Sequence, residues 1–209
     1  MSSSVRSMSA PQSATALFTA GAFCAVELEA EDIPRLQRFF ELNPEYFFSV
    51  NGQPPTPDEA HEEIHGALPD GWPFTKKWII GFVDETGSLI GMANVVSDLL
   101  APGVWHIGLF MIATRLRGSG AAQSLYEQLE CWALDLGAQW LRLGVVQGNT
   151  RAERFWERCA FVEVRKRGGV EMGKLVNTLR VMAKPLAAGT LPEYLALVAR
   201  DRPEPCEAR

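Results

Sequence analysis

Arg117-Gly118-Ser119-Gly120-Ala121-Ala122 lies between an apolar run, Val104 to Ile112, and a long segment whose apolar residues recur at helical spacing. A strand that turns into a helix through glycines lets the backbone come close to whatever sits at the helix start. There the first amides have no intrahelical partner and the dipole end is positive, so the turn can cradle an anion such as a phosphate. Arg117 adds a charge-assisted donor. Taken alone, the same residues also fit an ordinary tight turn.

Downstream, Ala122, Leu125, Leu129, Trp132, Ala133 and Leu136 share one helical face until Gly137 ends the run. Trp140 to Val146 reads as a strand, and Asn149-Thr150-Arg151-Ala152-Glu153-Arg154-Phe155-Trp156-Glu157-Arg158-Cys159-Ala160-Phe161 follows as a second helix. Phe161 to Arg165 and Thr178 to Ala183 read as closing strands, with Arg165-Lys166-Arg167-Gly168-Gly169 a solvated turn between them. Upstream, Phe23 to Leu28, Lys77 to Val83 and Leu89 to Val96 are strands, the last two joined by the hairpin turn Asp84-Glu85-Thr86-Gly87. Glu31-Asp32-Ile33-Pro34 opens a helix. Residues 43 to 55 read as a polar and aromatic loop, and Thr56-Pro57-Asp58-Glu59 is a capping-box start for a short helix to about Ala67. Leu191 to Val198 suits a C-terminal helix.

The pattern Arg-Gly-x-Gly-x-Ala, helix, strand, then Asn-x-x-Ala-x-x-Phe-aromatic ending at a Phe, resembles the GNAT superfamily of acyl-CoA-dependent N-acyltransferases. The likeness is strongest over residues 104 to 161 and extends in element order over about 22 to 186. The family signature falls on Arg117, Gly120 and Ala122. A second register, Arg115, Gly118 and Gly120, also satisfies it, but only the first puts Ile112 and Asn149 at the family's equivalent places. The resemblance implies an α/β (α+β) fold with a mixed, mostly antiparallel sheet of about six to seven strands flanked by helices. It divides the chain into a disordered leader, 1 to 20, an acetyltransferase domain, 21 to 186, and a C-terminal extension, 187 to 209.

It also implies acetyl-CoA as co-substrate and transfer of its acetyl group to a primary amine, in a small molecule or a peptide. Arg117, Gly118, Ser119, Gly120, Ala121 and Ala122 would hold the phosphates. Main-chain groups of Phe110, Met111 and Ile112 would pair with the pantetheine arm like an added strand, with Gly108 marking a bulge. Asn149 is placed either to bond that arm or to cap the second helix. Trp156 stands where the family commonly has a tyrosine that protonates the departing thiolate, and an indole N–H is no practical acid. Ala160 replaces the usual glycine. A homodimer is in keeping with the family.

His106 is the candidate base. Strict alternation would put it on the same sheet face as Gly108, Phe110 and Ile112. Asp98 or Glu171 acting through water are alternatives that sequence does not rank. Phe39 to Val50 and Asp70 to Phe74 face the acceptor in such folds. Their Tyr46, Phe47, Phe48, Trp72 and Phe74 form either a substrate wall or buried packing, and Glu41, Glu45 and Asp70 would favour a cationic acceptor.

Composition agrees with one domain. The chain has 209 residues, 47% of them apolar, enough for one sizeable core. A net charge of -5 without a basic cluster argues against a nucleic-acid partner, and no apolar stretch reaches the length of a membrane span. Cys24, Cys131, Cys159 and Cys206 lack C-x-x-C spacing, so no zinc framework is expected, and reduced cytoplasmic thiols are the simplest reading. One competing motif remains. His61-Glu62-Glu63-Ile64-His65 matches H-E-x-x-H, which on a helix would offer two zinc ligands and a base for hydrolysis.

Overall fold

The computed structural model describes residues 16–187 and 189–203. Its sheet has eight strands, β1 (Ala16–Ala20), β2 (Phe23–Glu27), β3 (Lys77–Val83), β4 (Leu89–Val96), β5 (Val104–Ile112), β6 (Trp140–Val146), β7 (Val162–Met172) and β8 (Leu175–Pro185). Their spatial order is β1-β2-β3-β4-β5-β6-β8-β7, antiparallel throughout except for the parallel pair β5 and β6. The expected mixed, mostly antiparallel sheet is therefore present, with one strand more than the six to seven anticipated. The extra strand is β1, which falls in the stretch expected as leader. Its residues hydrogen-bond β2 in a short hairpin, so only residues 1 to 15 of that leader lie outside the described part.

Six helices cover the sheet: α1 (Ile33–Leu42), α2 (Glu45–Asn51), α3 (Glu59–His65), α4 (Ala121–Asp135), α5 (Thr150–Arg158) and α6 (Leu191–Leu197). One face of the sheet packs Phe82, Ile90, Trp105, Ile107, Leu143 and Met182 against Leu125, Leu129 and Trp132 of α4 and Trp156 of α5. Each such fully buried Leu or Phe contributes about 1.5–3 kcal/mol. The other face is shared. Leu28, Ile79, Met92, Leu109 and Met111 receive Leu36, Phe39, Phe40 and Phe47 of α1 and α2, and Val104, Trp140, Val181 and Ala183 receive Tyr194 and Val198 at the C-terminal end. The C-terminal segment is thus part of the core.

Two stretches depart from the sequence reading. The expected loop at 43 to 55 contains α2, which points Phe47 and Val50 inward and stops at Gly52, where φ is 68°. Three consecutive aromatics hid its period. Arg165 to Gly169 is not a solvated turn but the bulged middle of β7, whose hairpin turn comes later at Gly173 and Lys174. The tip of that hairpin reaches α2, where Asn177 Nδ2 donates to Val50 O at 2.9 Å and Lys174 N to Asn51 O at 2.7 Å.

Candidate active site

The site begins with a change of register. Along β5, Asn94 pairs with Leu109 and Val95 with Ile107, so Gly108 is an extra residue with no partner on β4. The expected bulge is there, and it inverts the alternation. Trp105 and Ile107 before it, and Phe110 and Ile112 after it, all face α4 and α5. His106 therefore lies on the face opposite Phe110 and Ile112, contrary to the alternation count.

At the same place β5 and β6 part. Their parallel pairing runs from Val104 with Trp140 to Ile107 with Leu143 and then ends. Beyond it β5 continues paired only with β4, and β6 only with β8. A V-shaped gap opens between the two strands, with exposed Gly108 and Gly144 at its mouth. The facing edges carry main-chain groups that an extended ligand arm can pair with.

One cavity, about 490 Å3, runs from this gap along the strand-to-helix turn. It is lined by Phe110, Met111, Ile112, Arg117, Gly118, Gly120, Ala122, Asn149 and Trp156, nine of the residues singled out from sequence. Gly118 and Gly120 adopt φ of 78° and 86°, a region that favours glycine. Gly120 is the N-cap of α4, and the amides of Gly120, Ala122 and Gln123 have no hydrogen-bond acceptor among the described residues. Ser119 and Ala121 serve the turn itself: Ser119 Oγ donates to Leu116 O at 2.8 Å, and Ala121 is buried. Sequence reasoning missed Arg151 and Arg158, which line the same cavity from α5 beside Arg117. With Glu45 as the lone carboxylate in the lining, the cavity has a positive balance suited to several phosphates.

Asn149 takes the capping role, and its place leaves the other open to it. Its Oδ1 accepts from Ala152 N at 3.3 Å as a helix cap, and the residue lines the gap. Trp156 is buried, packing edge-on against Phe110, Tyr126, Phe155 and Phe161. Burial first, and the hydrogen bond it donates to Glu130 second, raise the pKa of the nearby Tyr126 hydroxyl, so it holds its proton.

A second cavity of about 300 Å3 occupies the gap itself, lined by Ile107 to Phe110 of β5 and Leu143 to Val146 of β6. The two share Tyr46, Phe110, Asn149, Ala152 and Trp156; the second alone reaches Trp72, His106, Arg142, Arg167 and Met172. Of the five aromatics noted from sequence, Tyr46 and Trp72 line it, Phe47 is core, and Phe48 and Phe74 are about half exposed. Asp201 sits behind it, wholly buried. Its carboxylate receives Arg142 Nε at 2.6 Å, Arg167 Nη2 at 2.7 Å and the Tyr194 hydroxyl at 2.5 Å.

His106 is held in this network. Its Nδ1 is 3.1 Å from Arg142 O and 3.2 Å from Arg142 Nη1. Burial first, and the neighbouring guanidinium second, depress its pKa to about 3. A ring so disposed stays neutral and takes up protons poorly, which speaks against the expected role as base. Asp98 is bound to a turn through Thr75 Oγ1 and Gly103 N, both at 2.7 Å, and Glu171 lines neither cavity. The carboxylate tied to the bulge is Glu63 of α3, which also lines neither cavity but is linked to Gly108 through Asn94. It accepts from Asn94 Nδ2 at 2.5 Å, and a Cβ at Gly108 would meet the Asn94 amide carbon at 3.5 Å. Burial raises the pKa of Glu63, and Asn94 Oδ1 finds no partner among the described residues. Glu41, Glu45 and Asp70, expected to draw a cationic acceptor, are all absent from the second cavity's lining.

His61 and His65 lie on one side of α3 with tilted rings whose centroids are 4.7 Å apart. Among the described residues no three His, Cys, Asp or Glu side chains gather as metal ligands do, so the H-E-x-x-H match lacks its third ligand. No helix of the described residues is long and apolar enough to cross a membrane.

Residues 36–161 match the family model of the acetyltransferase (GNAT) family. Among solved structures, an acetyltransferase from Thermus thermophilus superposes with a TM-score of 0.64 at 20% identity, covering 82% of this chain and all of the other. A GCN5-related N-acetyltransferase from Kribbella flavida gives 0.58 at 24%, covering 80% and 100%. Spermidine N-acetyltransferase from Vibrio cholerae, solved with CoA and spermine, gives 0.61 at 18%, covering 79% and 96%. No curated protein matches by sequence.

Proposed function

Because this chain belongs to the acetyltransferase (GNAT) family, we propose that it transfers the acetyl group of acetyl-CoA to a primary amine by direct attack in a ternary complex. The observation that carries the reading is the continuity of the phosphate cradle at Gly118 to Ala122 with the gap between β5 and β6. The cradle takes the phosphates, and Arg117, Arg151 and Arg158 add charge. The pantetheine arm lies along the open edge of Phe110 to Ile112, and its thioester reaches the region shared by the two cavities. The acceptor enters from the second.

In the reaction the amine nitrogen bonds the thioester carbon, the C–S bond breaks, and CoA leaves as thiolate. The acceptor must first lose a proton, since its ammonium form has a pKa of about 10. Glu63, linked to the bulge through Asn94, is the carboxylate assigned to receive that proton through water, and burial raises its pKa, which strengthens it as a proton acceptor. A thiol pKa of about 8.5 makes the thiolate a tolerable leaving group without an acid at Trp156.

Calorimetric titration with acetyl-CoA tests the cradle. The wild type should bind with a Kd of about 10 µM or tighter, and Gly120→Val, which forces a side chain onto φ of 86°, should lose binding while melting as a folded protein. Equal affinity in the variant would remove the cradle assignment. Thiol release with a panel of amines then tests transfer, and binding without release would mark a silent acyl-CoA-binding module.

A further inference from the structure

The charges around the second cavity do not balance. Its lining contains two arginines and no carboxylate. Asp201 behind it is shared by Arg142 and Arg167, and Arg200, next in the chain, lays its guanidinium over Trp72 at 3.9 Å from the ring centroid. Arg142, Arg167 and Arg200 thus gather near Asp201, with Arg165 bonded to Arg200 O at 2.7 Å beyond them, in a protein of net charge -5. They crowd enough that burial, together with the mutual repulsion of these guanidiniums, lowers the pKa of both Arg167 and Arg200. Arg142 is spent: Nε and Nη2 face Asp201, and Nη1 faces His106. Arg167 is not. Its Nη2 carries the contacts to Asp201 and Arg200 O, and its side chain remains 23% exposed at the cavity.

We infer that the acceptor is a small amine that also carries an anionic group, a carboxylate or a phosphate, which docks against Arg167 with Arg200 beside it. This rests on reading the second cavity as the acceptor site. The distribution of polar groups fits such a molecule at both ends. The anionic end meets the guanidiniums; the amine end meets the bulge at Gly108, behind which Asn94 and Glu63 lie buried outside the cavity lining. A polyamine would instead place a second cation against the Arg167 and Arg200 guanidiniums, in a cavity small enough for little water to screen them. Asp201 gives the cluster its shape by drawing Arg142 and Arg167 together from neighbouring regions of the sheet. It does not neutralise them.

The test compares matched acceptors on the wild type and on Arg167→Gln. L-amino acids are set against their amides, phosphoethanolamine against ethanolamine, and spermidine stands for polycations. Wild-type kcat/KM should favour the anionic member of a pair by about tenfold or more, the size of one charge-assisted hydrogen bond. Arg167→Gln should bring that ratio close to one, leave the KM for acetyl-CoA unchanged, and be rescued in part by Arg167→Lys. Whether amino acids or phosphoethanolamine gain more separates carboxylate from phosphate. Spermidine or the amides acting as well as the acids, or Arg167→Gln slowing both members equally, would overturn the inference. If acetyl-CoA binds and no amine is acetylated, the transferase reading fails by itself. Calorimetric binding of the same pairs to the CoA complex then decides the preference for an anion.

Discussion

Replacing Asp201 by Asn removes one charge and almost no volume, which makes it a clean probe of how the C-terminal segment is held. The carboxylate is fully buried and accepts from Arg142 at 2.6 and 3.2 Å, from Arg167 at 2.7 Å and from Tyr194 at 2.5 Å. An amide can keep one or two of these contacts, but it leaves the Arg142 guanidinium, itself 5% exposed, without its counter-ion. Removing one partner of a buried ion pair costs about 3–5 kcal/mol. Against a total stability of about 5–15 kcal/mol that is a large part of the whole. In a domain of this size it corresponds to a fall in melting temperature of roughly 6–20 °C, at about 2–4 °C per kcal/mol.

Urea unfolding of Asp201→Asn and the wild type, followed by tryptophan fluorescence, measures the difference. Loss of less than about 1 kcal/mol would mean that water reaches Arg142 and that the segment is held by Tyr194 and Val198 alone. The pH dependence gives a second, independent reading. Hydrogen bonds and the two guanidiniums hold the Asp201 pKa below the usual carboxylate range despite burial. Its contribution is therefore complete above the unfolded value of about 3.9 and is lost as pH falls through the lower folded value. The variant's stability should be flatter in that acid window. Arg142→Met with Asp201→Leu, which removes both charges, should recover much of the loss.

Ala160 sits at φ of 65° after α5, so Ala160→Gly should stabilise the protein by about 1 kcal/mol, visible as a melting temperature about 2–4 °C higher. Arg151→Gln with Arg158→Gln should weaken acetyl-CoA binding by roughly tenfold or more at low salt and less at high salt, and leave S-acetylpantetheine unaffected, since that ligand lacks the nucleotide phosphates. Glu63 is buried and its pKa is raised, so the folded state binds its proton more tightly than the unfolded chain. Stability attached to it is present below about pH 4.3 and fades as pH rises through the folded value, and Glu63→Gln should abolish that decline in urea melts. The same variant should lose the acidic limb of the kcat/KM profile; an unchanged limb would remove Glu63 as base.

The end of the site proposed for the nucleotide was legible in the sequence because its features are local. Gly118, Gly120 and the first turn of α4 act through backbone conformation within a few residues, and an arginine beside two glycines at a strand-to-helix junction says as much on the page. The acceptor end was not legible. Asp201 meets Arg142 across 59 residues and Arg167 across 34, and nothing near any of the three signals the others. Arg165 to Gly169 looked like a charged turn since charge and glycine usually mark one; inside β7 the same glycines make a bulge, and Arg167 faces a cavity. The eighth strand escaped notice for a related reason. Ala16 to Ala20 is a five-residue edge strand, two of its residues exposed, and a register shift between Ala16 and Phe18 breaks the alternation that would mark it.

The extra residue at Gly108 links several of these outcomes. Had β5 kept strict alternation, His106 would share a face with Phe110, and the catalytic reading given to it from sequence would have had geometric support. One inserted residue exchanges the faces and places His106 beside Arg142, where it stays uncharged. The bulge lies where β5 turns away from β6, so the strand that loses its register also loses its neighbour. Bulges bend the strand that carries them. Filling it should then do more than remove a turn of backbone. Deleting Gly108 would restore alternation, swing Phe110 and Ile112 to the face of α1 and α3, and bring Leu109 and Met111 onto α4. The cost of reversing four core residues at about 1.5–3 kcal/mol each, about 6–12 kcal/mol together, is of the size of the whole stability of such a domain, so the deletion should unfold or leave a barely stable protein. Gly108→Ala keeps the bulge and meets only the Asn94 amide at ordinary contact distance; it should fold, and any loss of kcat with an unchanged acetyl-CoA affinity would mark the bulge as the place where the amine meets the thioester.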